Sequence, residues 1–357
     1  MKRWAEYDNG EKPRFTTSVK SEARKISKVA VGGERIFFAS EVEYVLYMRR
    51  YLLPVLQAIV DEWKTTGVMI GVNCASTDWA EAKAHLNAFP FKFTLDVQSM
   101  DSTIDTFVLE AIRDFLTFIA RRKTAYTLRE CEEFFKALDL GICFVAIVDG
   151  VVVLLPRGNS SGSPSTTLVN SIALLMYLYI AWILLGKPKD DFWKFVRFLL
   201  YGDDAVVSTT DATFNFRTVR AALAPYGITI TPASKDGSEY DFQEWDEITF
   251  LKRSFTEMKT PHGEIVACPL DETSIGKMLS FIGTSTVIPK DEQLCYNIMD
   301  AQRQYFMYGE EVFNKKTLFL KKLVEKHRLP FRGRFEWKSF EALSQDYADK
   351  NYALGFA

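Results

Sequence analysis

Residues 202–204 read Gly-Asp-Asp and lie between two short apolar runs, residues 195–201 and 205–208. Apolar runs on both sides of a glycine-led turn predict a tight hairpin with two acidic residues at its tip. Such strands pack against a core, where adjacent carboxylates are costly unless something compensates them. A divalent cation removes that cost. An acidic pair alone is an ordinary turn sequence, so the weight falls on what else the chain brings to it.

A third carboxylate is available. Phe91-Lys92-Phe93-Thr94-Leu95-Asp96 alternates and is aromatic, which predicts a strand ending in Asp96. Mg²⁺ prefers oxygen ligands and keeps waters and substrate phosphates in its shell. A pair of such ions can activate an attacking 3′-hydroxyl and stabilise a leaving pyrophosphate. The set Asp96, Asp203 and Asp204 is chemically sufficient for nucleotidyl transfer if the two strands are neighbours.

The remaining chain supplies context. Residues 35–39 read as extended, and an amphipathic stretch at 42–65 is interrupted by Pro54. Asp101 or Ser102 is placed to cap a helix whose apolar residues Ile104, Phe107, Val108, Ala111, Phe115 and Phe118 recur at helical spacing. Residues 142–155 are β-rich, with Asp149-Gly150 as the hairpin turn. A loop of small residues at 158–166 leads into an apolar helix ending at Leu185. Beyond Arg253 helical patterns dominate, as at 291–308 and 315–326.

Composition narrows the classes. The chain has 357 residues, 48% hydrophobic and 25% charged, which is globular and predicts two or three lobes. Cys74, Cys131, Cys143, Cys268 and Cys295 are scattered and imply neither a zinc site nor a disulfide framework, and read as reduced thiols of an intracellular protein. His85, His262 and His327 lack partners at ligand spacing and read as structural. The opening residues 1–15 are polar and do not form a signal peptide. The apolar run at 172–185 is short for a membrane span and reads as a buried core helix, so no transmembrane segment is expected. A net charge of −2 excludes a wholly basic nucleic-acid binder. A groove following a phosphate backbone needs only local positive charge, available at 20–35, 121–123, 252–253 and 315–334.

The order of these features resembles the viral RNA-dependent RNA polymerases, with the picornavirus-like group most similar. Asp96-x4-Asp101, Ser161-Gly162-x3-Thr166-x3-Asn170 and Tyr201-Gly202-Asp203-Asp204 resemble motifs A, B and C. Residues 226–235, ending in Lys235, resemble motif D, and Thr249-Phe250-Leu251-Lys252-Arg253 resembles motif E. Upstream, Val19-Lys20-Ser21-Glu22-Ala23-Arg24, Lys28 and Gly33-Glu34-Arg35 are similar to motif F. Each motif is weak alone, and six in order are specific. Two positions depart from the pattern: Ser160 stands where a proline usually precedes the motif B serine, and Met100 where an aromatic is common.

The resemblance implies roles. Asp96, Asp203 and Asp204 would bind two Mg²⁺ ions, with Mn²⁺ as the alternative. Asp101, with Asn170, Ser161, Gly162 and Thr166, would surround the ribose 2′-hydroxyl and reject deoxynucleotides. Arg24, Lys28 and Arg35 would hold the triphosphate. Lys235 would be the general acid that protonates pyrophosphate, and Lys252 and Arg253 would touch the primer backbone.

The implied fold is α+β, a right-hand polymerase whose palm is a small antiparallel sheet backed by helices. Residues 1–90 would be partial fingers, 91–255 the palm with a finger-directed excursion at about 120–155, and 256–357 a helical thumb. Partners implied are an RNA template and primer, nucleoside triphosphates and other viral replication proteins, in host cytoplasm on membrane-associated replication complexes. The chain begins just before motif F, so a fragment, a divergent short form or a polyprotein product is expected. The rival readings are a reverse transcriptase, which shares the palm and acidic hairpin, and a non-catalytic RNA-binding protein that keeps the fold.

Overall fold

The computed structural model describes residues 2–22, 26–30, 32–33, 35–233, 237–283 and 285–354. Two compact units emerge, one of residues 1–20, 26–71 and 89–243, the other of residues 21–25, 72–88 and 244–357. The break between these units falls after Gln243, and residues 72–88 group with the C-terminal segment.

In chain order the strands of the first unit are β1 (Arg14–Val19), β2 (Ile36–Ser40), β3 (Phe91–Val97), β4 (Val145–Val148), β5 (Val151–Leu154), β6 (Val196–Tyr201), β7 (Asp204–Thr209) and β8 (Ile230–Thr231). They form two four-stranded sheets, β2-β1-β4-β5 and β6-β7-β3-β8. The second sheet is antiparallel throughout. Its register fixes two faces, because side chains alternate. Phe93, Leu95, Val97, Phe198, Leu200, Ala205, Val207 and Ile230 join the buried core of the unit. Each large apolar residue buried there contributes roughly 1.5–3 kcal/mol. Thr94, Asp96, Asp204 and Thr231 take the other face by the same alternation.

Helices Thr166–Leu184 and Phe216–Leu223 back this sheet. Thr166–Leu184 is the one helix among the described residues long and apolar enough to cross a membrane, and most of it is buried inside the protein. Its buried residues run nearly all round, Leu168, Ile172, Leu174, Tyr177, Leu178, Ala181 and Trp182 included, as a core helix requires.

The other sheet begins with β1 and β2, which pair antiparallel, and β4 joins β1 in parallel. The β4–β5 turn is the expected Asp149-Gly150, with φ of +53° and +81°, as a two-residue hairpin with both central residues left-handed demands.

Three local expectations change. Pro54 does not interrupt its helix, which runs Val42–Asp61. A proline cannot donate to the carbonyl four residues back. The Tyr126 hydroxyl does so in its place, donating to Arg50 O at 3.3 Å and Tyr51 O at 2.9 Å. Helix Thr106–Lys123 is capped by Asp105, which accepts from Phe107 N at 2.9 Å, not by Asp101 or Ser102. That helix buries Leu109, Ile112, Leu116, Thr117 and Ala120, while Phe107, Phe115 and Phe118 are exposed, because the neighbouring elements take the opposite stripe.

The second unit carries the hairpin β9 (Thr256–Thr260) and β10 (Gly263–Ala267), followed by helices Glu272–Ser280, Lys290–Phe306, Glu310–Lys326 and Phe340–Ala348. The C-terminal segment is therefore mainly helical but opens on a β-hairpin.

Candidate active site

The acidic hairpin forms as expected, with a refinement. Tyr201 pairs with Asp204, so the turn is Gly202-Asp203 and Asp204 is the first residue of β7. Gly202 has φ of +64°, which suits the first central position of a two-residue hairpin. Its buried N–H donates to Ser171 Oγ at 2.9 Å, and Ser171 in turn donates to Thr167 O at 2.7 Å. The core helix thus fixes the turn from beneath.

Register brings the third carboxylate alongside. Asp96 is the direct β3 partner of Asp204, and Val97 N donates to Asp203 O at 3.2 Å. On its other side Asp96 pairs with Thr231, whose hydroxyl donates to Asp96 O at 3.3 Å and Oδ2 at 3.4 Å. Asp96 is buried, Asp204 half-buried and Asp203 exposed. Three carboxylates at adjoining strand ends are the hard oxygen donors that Mg²⁺ prefers, so the residues fit such an ion in kind. Among the described residues no three His, Cys, Asp or Glu side chains converge into a ready ligand cluster. The backbone juxtaposition is built in, while the side-chain approach is left to rotamer adjustment.

Beside this edge lies a second polar group. Asp101 sits in a one-turn helix, Met100–Thr103, directly after β3. Its Oδ1 accepts from Asn170 Nδ2 at 2.6 Å. Asn170 is buried on the second turn of the Thr166–Leu184 helix. Thr166, the first residue of that helix, donates to Ser160 O at 2.5 Å and Ser163 O at 2.7 Å, closing the preceding loop.

That loop is docked on β2. Ser160 Oγ donates to Phe38 O at 3.2 Å, Phe38 N to Ser161 Oγ at 3.3 Å, and Ser40 Oγ to Gly162 O at 2.7 Å. Gly162 is required by space: a Cβ there would lie 2.0 Å from Phe38 O.

The cationic candidates are placed less completely. Arg35 is exposed just before β2, and its carbonyl accepts from Lys20 N at 2.8 Å. Lys28 falls on the short Ile26–Val29 helix. Arg24 and Lys235 lie outside the described residues. In the second unit Lys252 is exposed with φ of +60°. Arg253 donates to Cys268 O at 2.8 Å and Gln304 Oε1 at 3.0 Å, so its guanidinium helps hold that unit together.

Residues that sequence reasoning missed are Ser171, Thr231, Gly158 and Asn159. A signal existed for Ser171, a hydroxyl following Asn170 inside an apolar run. Gly158-Asn159 looks like an ordinary turn dipeptide and gives none.

With this geometry in view, the comparisons with known proteins agree with one another. A family model for viral RNA-dependent RNA polymerase matches residues 2–324. The replication polyprotein of Nora virus is 26% identical over 317 residues, covering 86% of this chain and 14% of its own length. The replicase polyprotein of Cricket paralysis virus is 25% identical over 332 residues, covering 88% and 18%. The genome polyprotein of human hepatitis A virus genotype IA is 24% identical over 335 residues, covering 90% and 14%. The chain thus spans a small part, 14% to 18%, of these relatives. Among solved structures, a sicinivirus 3Dpol RNA-dependent RNA polymerase matches with a TM-score of 0.79 at 18% identity, covering 98% of this chain and 71% of that one. The fold is the α+β right-hand polymerase fold expected from the sequence.

Proposed function

The chain belongs to the viral RNA-dependent RNA polymerase family, and from that premise we propose that it catalyses RNA synthesis on an RNA template by two-metal nucleotidyl transfer. The observation that carries this reading is the register Asp96↔Asp204 with Asp203 in the adjoining turn. Asp96, Asp203 and Asp204 would hold two Mg²⁺ ions, or Mn²⁺ in their place. Bound there, the ions would supply Lewis-acid activation of the primer 3′-hydroxyl and charge stabilisation of the departing pyrophosphate.

The chain's own groups do the rest. Asp101 and Asn170 receive the ribose 2′-hydroxyl, and a polar pocket of this kind leaves buried groups unpaired when that hydroxyl is missing. Ser161, Gly162 and Thr166 shape the loop over the same position. Arg24, Lys28 and Arg35 neutralise the triphosphate, Lys235 delivers the proton to pyrophosphate, and Lys252 and Arg253 meet the primer backbone. Residues 1–90 serve as partial fingers, 91–255 as palm with a finger-directed excursion at about 120–155, and 256–357 as helical thumb. The wider setting is replication of a positive-strand RNA virus genome in host cytoplasm, on membranes and with other viral replication proteins.

The test is extension of a short RNA primer–template with Mg²⁺ and each nucleotide set, ribo and deoxy, beside Asp203→Asn. Ribonucleotide incorporation that disappears in Asp203→Asn is the expected result. Equal rates in the two proteins would remove the metal assignment, and preferred deoxynucleotide incorporation would favour a reverse transcriptase.

A further inference from the structure

Asn159 touches both members of the Asp101–Asn170 pair. Its backbone N–H donates to Asp101 O at 2.7 Å, and its side-chain Nδ2 donates to Asn170 Oδ1 at 2.9 Å and Thr166 O at 3.2 Å. The residue is buried, and the contact to Asn170 is buried as well. Gly158 before it has φ of +89°, and a Cβ there would stand 2.7 Å from Asp101 O, so the backbone at 158–159 presses directly on the Asp101 turn.

The polarity of this chain of amides is fixed at both ends by groups that can only accept. Thr166 O is a carbonyl, so Asn159 must turn its NH₂ toward it. The same NH₂ then meets Asn170, which must present its oxygen. Asn170 is left with its own NH₂ facing the Asp101 carboxylate, which again only accepts. Either amide flipped would set oxygen against oxygen in a buried place, where an unpaired polar atom is expensive. Asp101 Oδ2 has no hydrogen-bond partner among the described residues, so the relay holds one carboxylate oxygen and leaves the other for a ligand.

We propose that Asn159 is a positioning residue for ribose selection: it locks the Asn170 amide so that Asp101 presents Oδ2 to the 2′-hydroxyl of the incoming ribonucleotide. The inference rests on the reading of Asp101 and Asn170 as the ribose pocket. Asn159→Asp keeps the shape but turns the donor into an acceptor, forcing Asn170 to flip and Asp101 to lose its anchor. Asn159→Ala removes the donor without adding charge. A cavity of about 30 Å³ lined by Asn159, Ser160, Ser163 and Ser165 lies beside it, and a water entering there can restore part of the donation.

The experiment compares ATP with 2′-deoxy-ATP for the wild type, Asp101→Ala, Asn159→Asp and Asn159→Ala. Selectivity is read as the ratio of kcat/KM in single-nucleotide incorporation and as the ratio of Kd in equilibrium binding, with melting curves to establish folding. Loss of a hydrogen bond to a charged group predicts that Asn159→Asp lowers the ratio about tenfold or more, and Asn159→Ala by less. A role in folding alone would depress both nucleotides together and leave the ratio in place, which overturns the proposal. If Asp101→Ala lowers the ratio while folded Asn159→Asp and Asn159→Ala keep it, Asn159 has no part in selection. If Asp101→Ala also keeps it, the ribose-pocket reading fails and takes this inference with it.

Discussion

Ser171→Ala tests whether the acidic turn is held in place by the core helix. Ser171 is fully buried, and its hydroxyl accepts the only hydrogen bond described for the buried Gly202 N–H, at 2.9 Å. Alanine removes that acceptor and puts no other in reach. Leaving a buried amide donor unsatisfied costs roughly 1–3 kcal/mol. The loss of the Ser171 bond to Thr167 O is offset by the better helix propensity of alanine, so the amide sets the magnitude. For a compact unit of this size a cost of that order lowers the melting temperature by about 2–10 °C. The assay is thermal unfolding followed by circular dichroism, paired with the Mg²⁺ concentration needed for half-maximal incorporation. A turn freed from its support should need more Mg²⁺, because Asp203 lies in the turn and Asp204 follows it. An unchanged melting temperature together with an unchanged Mg²⁺ requirement would refute the argument.

Gly162→Ala should destabilise the loop against β2, since the new Cβ would meet the Phe38 carbonyl rather than a yielding side chain. Displacing the loop threatens three hydrogen bonds worth about 1 kcal/mol each, and a melting curve matching the wild type would show that the backbone can yield. Tyr126→Phe should cost about 0.5–1.5 kcal/mol by removing the hydroxyl that meets Arg50 O in place of the missing Pro54 amide, and Pro54→Ala in the same chain should recover part of it; absence of recovery would deny the link. Acid should loosen the N-terminal clasp. Burial alone would raise the Glu41 carboxyl, but Arg3, the Tyr7 hydroxyl and the Arg14 amide outweigh it and hold it below the usual range. A depressed carboxyl stabilises fully above its unfolded pKa and loses that contribution as pH falls through its folded value. Glu41→Gln should therefore flatten the fall in melting temperature below about pH 4.5, and an acid limb as steep as the wild type's would contradict this.

Features set by neighbouring residues were legible in the sequence. The Asp149-Gly150 and Gly202-Asp203 turns follow from local backbone demands, β3 follows from alternation, and β2 from its extended apolar run. The same reasoning chose the wrong stripe on helix Thr106–Lys123, because its first turns carry Phe107, Val108, Leu109, Ala111 and Ile112 nearly all round. Two apolar faces compete there, and only the partner helices decide between them. Pro54 reads locally as a break and is not one, because the compensating hydroxyl sits at Tyr126, far along the chain. The Ser160–Gly162 loop shows the same limit: its bonds go to residues 38 and 40.

The carboxylates depend on this division between local and distant information. Each acidic residue is visible alone, but their meeting is a statement about register, which alternation restricts without fixing. A one-residue slip of β3 against β7 would turn Asp96 toward the core and carry Leu95 and Val97 to the other face. Burial of Phe93, Leu95 and Val97 among Phe198, Ala205 and Val207 makes that slip prohibitive, so the hydrophobic face of the sheet specifies where the charges sit on the opposite one. It follows that a substitution on the core face, opposite the acids, such as Leu95→Asp with its buried unpaired charge, should abolish incorporation as completely as removing Asp203, but by unfolding the sheet. Circular dichroism separates the two: Asp203→Asn should keep the wild-type spectrum and melting transition, and Leu95→Asp should lose both.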